Sequence, residues 1–129
     1  LRMPSNINFD LIFPDKKIKV PVNKILFEWV IENLVKNAVD AMKGKGEIII
    51  SIINNEKNIL ISIADNGPGI DKTISNNIFK PGVTSKKRGW GLGLSLSKRI
   101  IEDYHKGSIF VVDSKKDEGT TFAINLLKN

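Results

Sequence analysis

Polar side chains recur at helical spacing in the segment that contains Asn33, Asn37 and Asp40. On a helix, the two amides share a sector with the apolar residues Leu26 and Val30, and the carboxylate lies beside them. A buried amide needs hydrogen-bond partners, since leaving it unpaired costs on the order of 1–3 kcal/mol. One such amide could be a satisfied core group. Two of them, one turn apart, favour a cleft in which they bind a ligand.

A second candidate is Asp65, which ends an isoleucine-rich run and precedes Asn-Gly-Pro-Gly. The turn-forming pairs Asn-Gly and Pro-Gly are sufficient to explain the glycines. They do not explain a carboxylate at the end of a buried run, which needs a donor. The exocyclic amine of a nucleobase would supply N–H donors, and Gly69 would let the backbone approach a flat ring. Thr120 could assist Asp65 directly or through water, or could simply bond to backbone at a turn.

A third candidate is the glycine-rich run from Gly89 to Leu94, which leads directly into a predicted helix. Alternating glycines leave backbone N–H groups free to face an anion, and the start of a helix adds partial positive charge. The run alone fits a flexible loop equally well. It is not a Walker A loop, because Gly-Lys-Ser/Thr is missing, and no single strand leads into it as in a dinucleotide fingerprint. The preceding polar segment, with Lys86, could close as a lid over a phosphate chain.

The first half of the chain reads as strands around one long helix. Ile7–Phe13 and Ile18–Val22 predict a small hairpin, because Pro14 opens a turn between them. A helix is predicted from the N-cap residue Asn23 through Met42, before a glycine-containing loop. Two isoleucine-rich runs then predict buried central strands; they are Glu47–Asn54 and Asn58–Ala64.

The second half predicts a short helix over Thr73–Phe79 and an amphipathic helix over Leu92–Tyr104. The apolar positions of the latter are Leu92, Leu96, Ile100 and Ile101. Strands follow at Ser108–Asp113 and Thr120–Leu127, and alternation in the last one turns Thr120, Phe122, Ile124 and Leu126 to one face. These elements predict an α+β fold, a two-layer α/β sandwich with helices on one face of one sheet.

Composition restricts the class of protein. A chain of 129 residues, 41% apolar and 26% charged, predicts one globular domain over residues 1–129. The absence of cysteine excludes disulfides and thiolate metal sites, and no apolar run reaches the roughly 20 residues that span a bilayer. We therefore expect a cytoplasmic domain without membrane contact. The net charge of +6 favours anionic partners, but the scattered lysines are not the basic stripe of a nucleic-acid-binding protein.

Taken in order, these motifs resemble the N, G1, F, G2 and G3 boxes of the superfamily of gyrase, heat-shock chaperone, histidine kinase and mismatch-repair ATPases. The resemblance covers about residues 5 to 128. It implies the Bergerat fold, with a mixed, mostly antiparallel sheet of about five strands, about three helices, and ATP held between helices and lid. The boxes are Asn33–Asn37, Asp65–Gly69, Phe79–Pro81 with Thr84–Lys86, Gly89–Leu94, and Gly119–Thr120.

The resemblance also implies roles for single residues. Asn37 would be the Mg²⁺ ligand, Asp65 would read adenine, and Lys86 would be the lid lysine. The implied catalytic residues are Asn33, Asn37 and Lys86. The implied nucleotide-binding residues are Asn33, Asn37, Asp40, Asp65, Gly67, Gly69, Ile70, Lys86, Gly89, Gly91, Leu92, Gly93, Leu94 and Thr120.

Within the superfamily, Asn33 favours a kinase. Hydrolytic members carry a glutamate there, whereas an amide cannot take a proton from water. Glu32 is adjacent but about 100° round the helix, so it does not replace that base. The chain is therefore similar to the ATP-binding domain of a sensor histidine kinase. Such a domain donates the γ-phosphate of ATP to a histidine on a separate helical domain, mainly by positioning and charge neutralisation, and indirectly serves a response regulator.

Two features depart from that pattern. Many histidine kinases carry a basic residue at the position of Asp40, so the lysines near Lys86 would do more of the neutralisation, or Asp40 would order the waters of the metal. The sole histidine, His105, is predicted to be a solvated helix-end residue. Because the chain starts at Leu1 rather than methionine, we expect a piece of a longer protein whose dimerisation and phosphoacceptor domain lies upstream.

Three alternatives remain at this stage. A related protein kinase of the anti-sigma-factor type would phosphorylate serine on a partner, and an upstream histidine-bearing hairpin would argue against it. An ATPase acting as a conformational clamp would hydrolyse ATP, which Asn33 disfavours. A basic binding module without ATP chemistry would bind nucleic acid in a strongly salt-sensitive way.

Overall fold

A computed structural model describes residues 7–13, 20–70, 77–80 and 93–128. In these ranges the chain forms five strands and two helices, the second of which continues into a π-helical turn. The elements are β1 (Ile7–Ile12), α1 (Lys24–Ala41), β2 (Gly46–Asn54), β3 (Asn58–Asp65), α2 (Gly93–Arg99), its π-helical continuation (Ile100–Tyr104), β4 (Ser108–Lys115) and β5 (Gly119–Leu127).

The strands form one mixed sheet in the order β1-β2-β3-β5-β4. Strand β1 runs parallel to β2, and the other neighbours are antiparallel. The predicted α+β class and the mostly antiparallel sheet of five strands are therefore confirmed. The register of β3 against β5 ends with Ala64 opposite Thr121, which brings Asp65 beside Thr120.

The predicted hairpin at the start of the chain is wrong. β1 pairs with β2, beginning with Ile7 opposite Gly46, and Val20 to Val22 belong to no strand. Residues 18 and 19 lie outside the described ranges. Pro21 gives a physical reason, because proline has no N–H to donate to a neighbouring strand.

One face of the sheet forms the core with the helices. Alternate residues of β3, namely Ile59, Ile61 and Ile63, are buried there, together with Val30, Leu34 and Ile101 from the helical layer. The prediction that β2 is buried on both faces is wrong, since Ile49 and Ile53 are 39% and 50% exposed on the opposite face. The described helices cover only one face of the sheet, and the apolar composition of β2 gives no indication of this.

Helix α1 has the predicted bounds. The Oδ1 of Asn23 accepts a hydrogen bond from the Leu26 N–H at 3.0 Å, and Met42 is the C-cap residue. At the end of the helix the N–H of Gly44, which has φ +77°, donates to the Val39 carbonyl. A left-handed residue of this kind commonly ends a helix.

The expectation of about three helices is wrong for the described residues, which contain two. Residues 77–79 of the predicted short helix form a turn, and Thr73 to Asn76 lie outside the described ranges. Neither described helix is both long enough and apolar enough to cross a bilayer.

Helix α2 faces the core with different residues from those predicted. Ile101 is buried as expected, but Leu96 is 40% exposed, while Ser95 and Ser97 are buried. Leu92 lies outside the described ranges. Ser97 lies one turn before the buried Ile101, so the two share the inner face, and the apolar character of Leu96 indicated the wrong side of the helix.

His105 is not a solvated helix-end residue, contrary to the prediction. It is half-buried, its Nε2 accepts the Asn23 backbone N–H at 2.9 Å, and its Nδ1 lies 2.8 Å from the Ile100 carbonyl. Since Nε2 accepts, Nδ1 carries the proton and donates. The ring also makes edge contacts with Phe27 and Tyr104. His105 therefore joins the start of α1 to the end of the π-helical turn.

We predict that His105→Ala lowers the free energy of unfolding by about 2 kcal/mol, because two hydrogen bonds are lost at about 1 kcal/mol each. Tyr104→Phe is the matched control. It removes only a 3.4 Å exposed bond from Asn23 and should change stability by less than about 0.5 kcal/mol. Urea unfolding measures both, and equal effects would contradict a specific role for His105.

Candidate functional site

Asp65 is a half-buried carboxylate at the end of the central strand β3. Its Oδ1 accepts two backbone N–H groups, from Gly67 at 2.9 Å and from Thr120 at 3.3 Å. Burial raises the pKa of Asp65, and the two backbone hydrogen bonds partly offset that rise. The carboxylate therefore holds the loop after β3 and the start of β5 through one of its oxygens.

Gly119 makes the contact between β5 and Asp65 possible. A Cβ at Gly119 would lie 1.9 Å from the Asp65 carbonyl oxygen, and its φ of +111° is unfavourable for other residues. The close approach sets the Thr120 N–H within reach of the carboxylate. Thr120 thus contacts Asp65 directly through its backbone N–H, and assistance by its side chain in binding a base stays a prediction.

The Thr120 hydroxyl has a different partner, which sequence reasoning missed. It lies 2.9 Å from the Oγ of Ser114, and that Oγ accepts the Ile70 N–H at 2.7 Å. If β4 paired with β5 in one continuous register, Ser114 would not lie opposite Thr120. A β-bulge between Val111 and Asp113 shifts the register by one residue and pairs the two.

The loop after Asp65 packs against the turn between β4 and β5. Gly69 has φ +83°, and a Cβ there would lie 2.4 Å from the Lys115 carbonyl oxygen. The Pro68 carbonyl accepts the Asp117 N–H at 2.9 Å. Glycine at position 69 was expected to let the backbone approach a flat ring. In the structure, the missing side chain instead leaves room for the backbone at Lys115.

Asn33 links the two helices at the other part of the site. Its Nδ2 donates to the Ser97 Oγ at 3.2 Å, and Ser97 in turn donates to the Gly93 carbonyl at 2.8 Å. A Cβ at Gly93 would lie 2.6 Å from the Asn33 Oδ1, so only glycine fits against this amide. The predicted residues Asn33 and Gly93 are thus brought together. Ser97 was missed, because the regular helical period turned Leu96 inward instead.

Asn37 and Asp40 follow Asn33 along the same side of α1. Asn37 is half-buried and Asp40 is exposed. The buried stripe of the helix runs through Val30, Leu34, Val35 and Ala38, so the two amides lie at its margin. The margin of a buried stripe is where an amide can face both the protein and a cleft.

Met42 connects the two parts of the site. A Cβ at Gly67 would lie 3.1 Å from the Met42 side chain and 3.1 Å from the Asp65 Oδ1, so the end of α1 packs against the Asp65 loop. Asn33 is nine residues earlier, which corresponds to about 13 Å of helix. An extended nucleoside triphosphate can cover such a distance.

The remaining predicted residues divide into two groups. Leu94 is half-buried and packs against the core, and Ile70 does the same beside its bond to Ser114. The other group lies outside the described ranges and consists of Lys86, Gly89, Gly91 and Leu92.

The family model described as histidine kinase-, DNA gyrase B-, and HSP90-like ATPase matches residues 23–129. The chain belongs to this family, and the resemblance seen in the sequence is confirmed.

The similar named proteins include a transport sensor protein and a sporulation kinase. The C4-dicarboxylate transport sensor protein DctB of Rhizobium meliloti (strain 1021) is 40% identical over 124 residues, covering 95% of the chain and 19% of the relative. Sporulation kinase A of Bacillus subtilis (strain 168) is 41% identical over 96 residues, covering 74% of the chain and 16% of the relative. The chain thus spans about a fifth or less of the length of these two relatives.

Solved structures of kinase domains share the fold. The catalytic domain of histidine kinase ThkA superposes with a TM-score of 0.85 at 32% identity, covering 95% of the chain and 81% of that domain. A structure of ThkA in complex with the response regulator protein TrrA gives a TM-score of 0.81 at 29% identity, covering 96% of the chain and 35% of that protein.

The raised pKa of Asp65 predicts how Asp65→Asn changes stability with pH. Above the pKa of the folded state, the ionised Asp65 carboxylate lowers the free energy of unfolding. Below the pKa of the unfolded state, the carboxyl is protonated in both states and this destabilisation disappears. Asparagine keeps an Oδ1 acceptor for the Gly67 and Thr120 amides without the charge. Asp65→Asn should therefore be more stable than the wild type near pH 7, and this advantage should shrink towards about pH 4.

Urea unfolding at several pH values measures the difference. Asp113→Asn, which replaces an exposed carboxylate on β4, is the control and should show no comparable pH-dependent gain. A destabilised Asp65→Asn at neutral pH would show that the charge itself stabilises the fold.

Proposed function

We propose that this chain binds Mg-ATP and donates the γ-phosphate to a histidine on a separate helical domain of a two-component sensor kinase. The observation that carries the proposal is the half-buried Asp65, whose Oδ1 holds the Gly67 and Thr120 amides. The other oxygen, Oδ2, is then the acceptor that we propose for the exocyclic amine of adenine. Membership of an ATPase family supports the nucleotide, and the names of sporulation kinase A and histidine kinase ThkA support the reaction.

The phosphate end of the nucleotide is proposed to lie at Asn33 and Asn37, beside Gly93. The described residues contain no group of three or more histidine or acidic side chains that could hold a metal. Mg²⁺ would therefore depend on the Asn37 amide oxygen and on the phosphates themselves, which are the hard oxygen ligands that it prefers. We keep Lys86 and the glycines Gly89 and Gly91 as proposed phosphate contacts.

The arrangement at Asn33 supports transfer of the phosphoryl group rather than hydrolysis. An amide cannot act as a general base, and here its Nδ2 is bonded to Ser97. We propose that catalysis consists of positioning the phosphates and neutralising their charge, as in other phosphoryl-transfer enzymes.

The acceptor histidine is proposed to lie elsewhere in the parent protein. His105 is a poor candidate, because both ring nitrogens are bonded within the fold. The small share of the relatives that the chain covers leaves room for a dimerisation and phosphoacceptor domain. We further propose a cytoplasmic setting and a response regulator as the final recipient of the phosphate, by analogy with the ThkA complex.

Adenine recognition by Asp65 predicts selectivity for the 6-amino group. Inosine triphosphate carries an oxygen in place of that amine, so two acceptors would face each other. We expect calorimetric titration to show that the wild type binds Mg-ATP roughly ten- to a hundredfold more tightly than Mg-ITP. Asp65→Asn should lose most of this preference.

Asp113→Asn serves again as the matched control and should keep the preference for ATP. Since Asp65→Asn preserves the Oδ1 acceptor for the Gly67 and Thr120 amides, its loss of the preference for ATP would not be attributable to unfolding. Equal affinity of the wild type for ATP and ITP would refute the assignment of Asp65 to adenine, and absence of binding to either would refute the proposed function.

A further inference from the structure

We propose that Ser97 is a positioning residue for the phosphate end of the nucleotide site, acting through Asn33. The inference rests on the proposed function and adds to it a side chain outside the predicted set of site residues. Ser97 is fully buried on the inner side of α2. It is the side chain through which the described part of that helix hydrogen-bonds to the Asn33 amide.

The hydroxyl of Ser97 uses its donor and an acceptor at once. It donates to the Gly93 carbonyl, one turn earlier in the same helix, at 2.8 Å, and it accepts from the Asn33 Nδ2 at 3.2 Å. The first bond fixes the direction of the proton, so that the lone pairs of the oxygen face Asn33. An aliphatic side chain could make neither bond.

The two bonds determine how the Asn33 amide is turned. With Nδ2 bonded to Ser97, the whole amide lies against Gly93, since a Cβ there would be 2.6 Å from Oδ1 and 2.9 Å from Nδ2. Asn37 follows one turn later on the same side of α1. Ser97 therefore sets both the rotamer of Asn33 and the separation of α1 from α2 at the level where we place the phosphates.

Ser97 has no exposed surface, whereas Asn33 is half-buried, so an Asn33 amide that loses this partner can turn towards solvent. In Ser97→Ala the Asn33 amide loses its partner and is free to turn away from the orientation described. An unpaired polar group in such a position costs about as much as a lost hydrogen bond. Because the proposed adenine contact, Asp65, lies beside Met42 at the C-terminal end of α1, recognition of the base should be insensitive to this change.

The test compares Mg-ADP with adenosine as ligands of the chain carrying Ser97→Ala, Ser97→Thr or Ser62→Ala. We expect Ser97→Ala to weaken Mg-ADP binding about tenfold, the factor for one hydrogen bond, and to leave adenosine affinity within about twofold. Ser97→Thr keeps the hydroxyl and should restore Mg-ADP binding. Ser62→Ala removes a half-buried hydroxyl that pairs with Ser51 between β3 and β2, and should change neither affinity.

A double-mutant cycle with Asn33→Ala replaces the threonine variant if that residue does not fit. If Ser97 acts through Asn33, Ser97→Ala has no further effect on Mg-ADP affinity once Asn33 is alanine. Additive losses would overturn the proposal, as would wild-type Mg-ADP affinity in Ser97→Ala or equal losses for Mg-ADP and adenosine. If the wild-type chain binds no Mg-ADP, the proposed function itself is refuted. If the wild type binds Mg-ADP and only the results with the variants differ from expectation, the role of Ser97 is refuted and the proposed function stands.

Discussion

The site depends on one half-buried carboxylate. Asp65 is the last residue of the central strand of the sheet. Its Oδ1 accepts hydrogen bonds from the N–H groups of Gly67 and Thr120, which belong to different segments of the chain. Gly119 allows the backbone approach that this requires. Burial disfavours the ionised form, which is why the pKa of Asp65 is raised. A charge at a position where it weakens the fold is typical of functional sites, and we propose that the second carboxylate oxygen binds a ligand.

Helix α1 converts this local arrangement into an extended site. Its C-terminal Met42 packs on the Asp65 loop, and about 13 Å earlier Asn33 is bonded to α2 through Ser97. We propose that the acceptor beside the C-terminal end of α1 binds a base, and that the amides in the middle of the helix face a hydrated metal and phosphates. His105 fixes the start of the same helix to the end of the π-helical turn. The helix is therefore held at three levels, which limits changes in the spacing of the two ends.

Sequence reasoning succeeded where the signal is local. The N-cap at Asn23 and the glycines after Met42 gave the bounds of α1, and alternation in β5 identified the inward face of Thr120. It failed where position depends on distant parts of the chain. Neither the β-bulge that sets Ser114 opposite Thr120 nor the π-helical turn that accompanies the burial of Ser97 has a distinctive residue pattern. The parallel pairing of β1 with β2 likewise depends on a partner some forty residues away.

The central claim is that the bound phosphate is given to histidine, and the most direct measurement is the chemical nature of the labelled residue. The full-length parent protein, incubated with ATP labelled at the γ-phosphate, should acquire a label that acid removes and alkali does not, as expected for phosphohistidine. Asn37→Ala should abolish the label. An acid-stable label on serine, or rapid release of inorganic phosphate without protein labelling, would contradict the account.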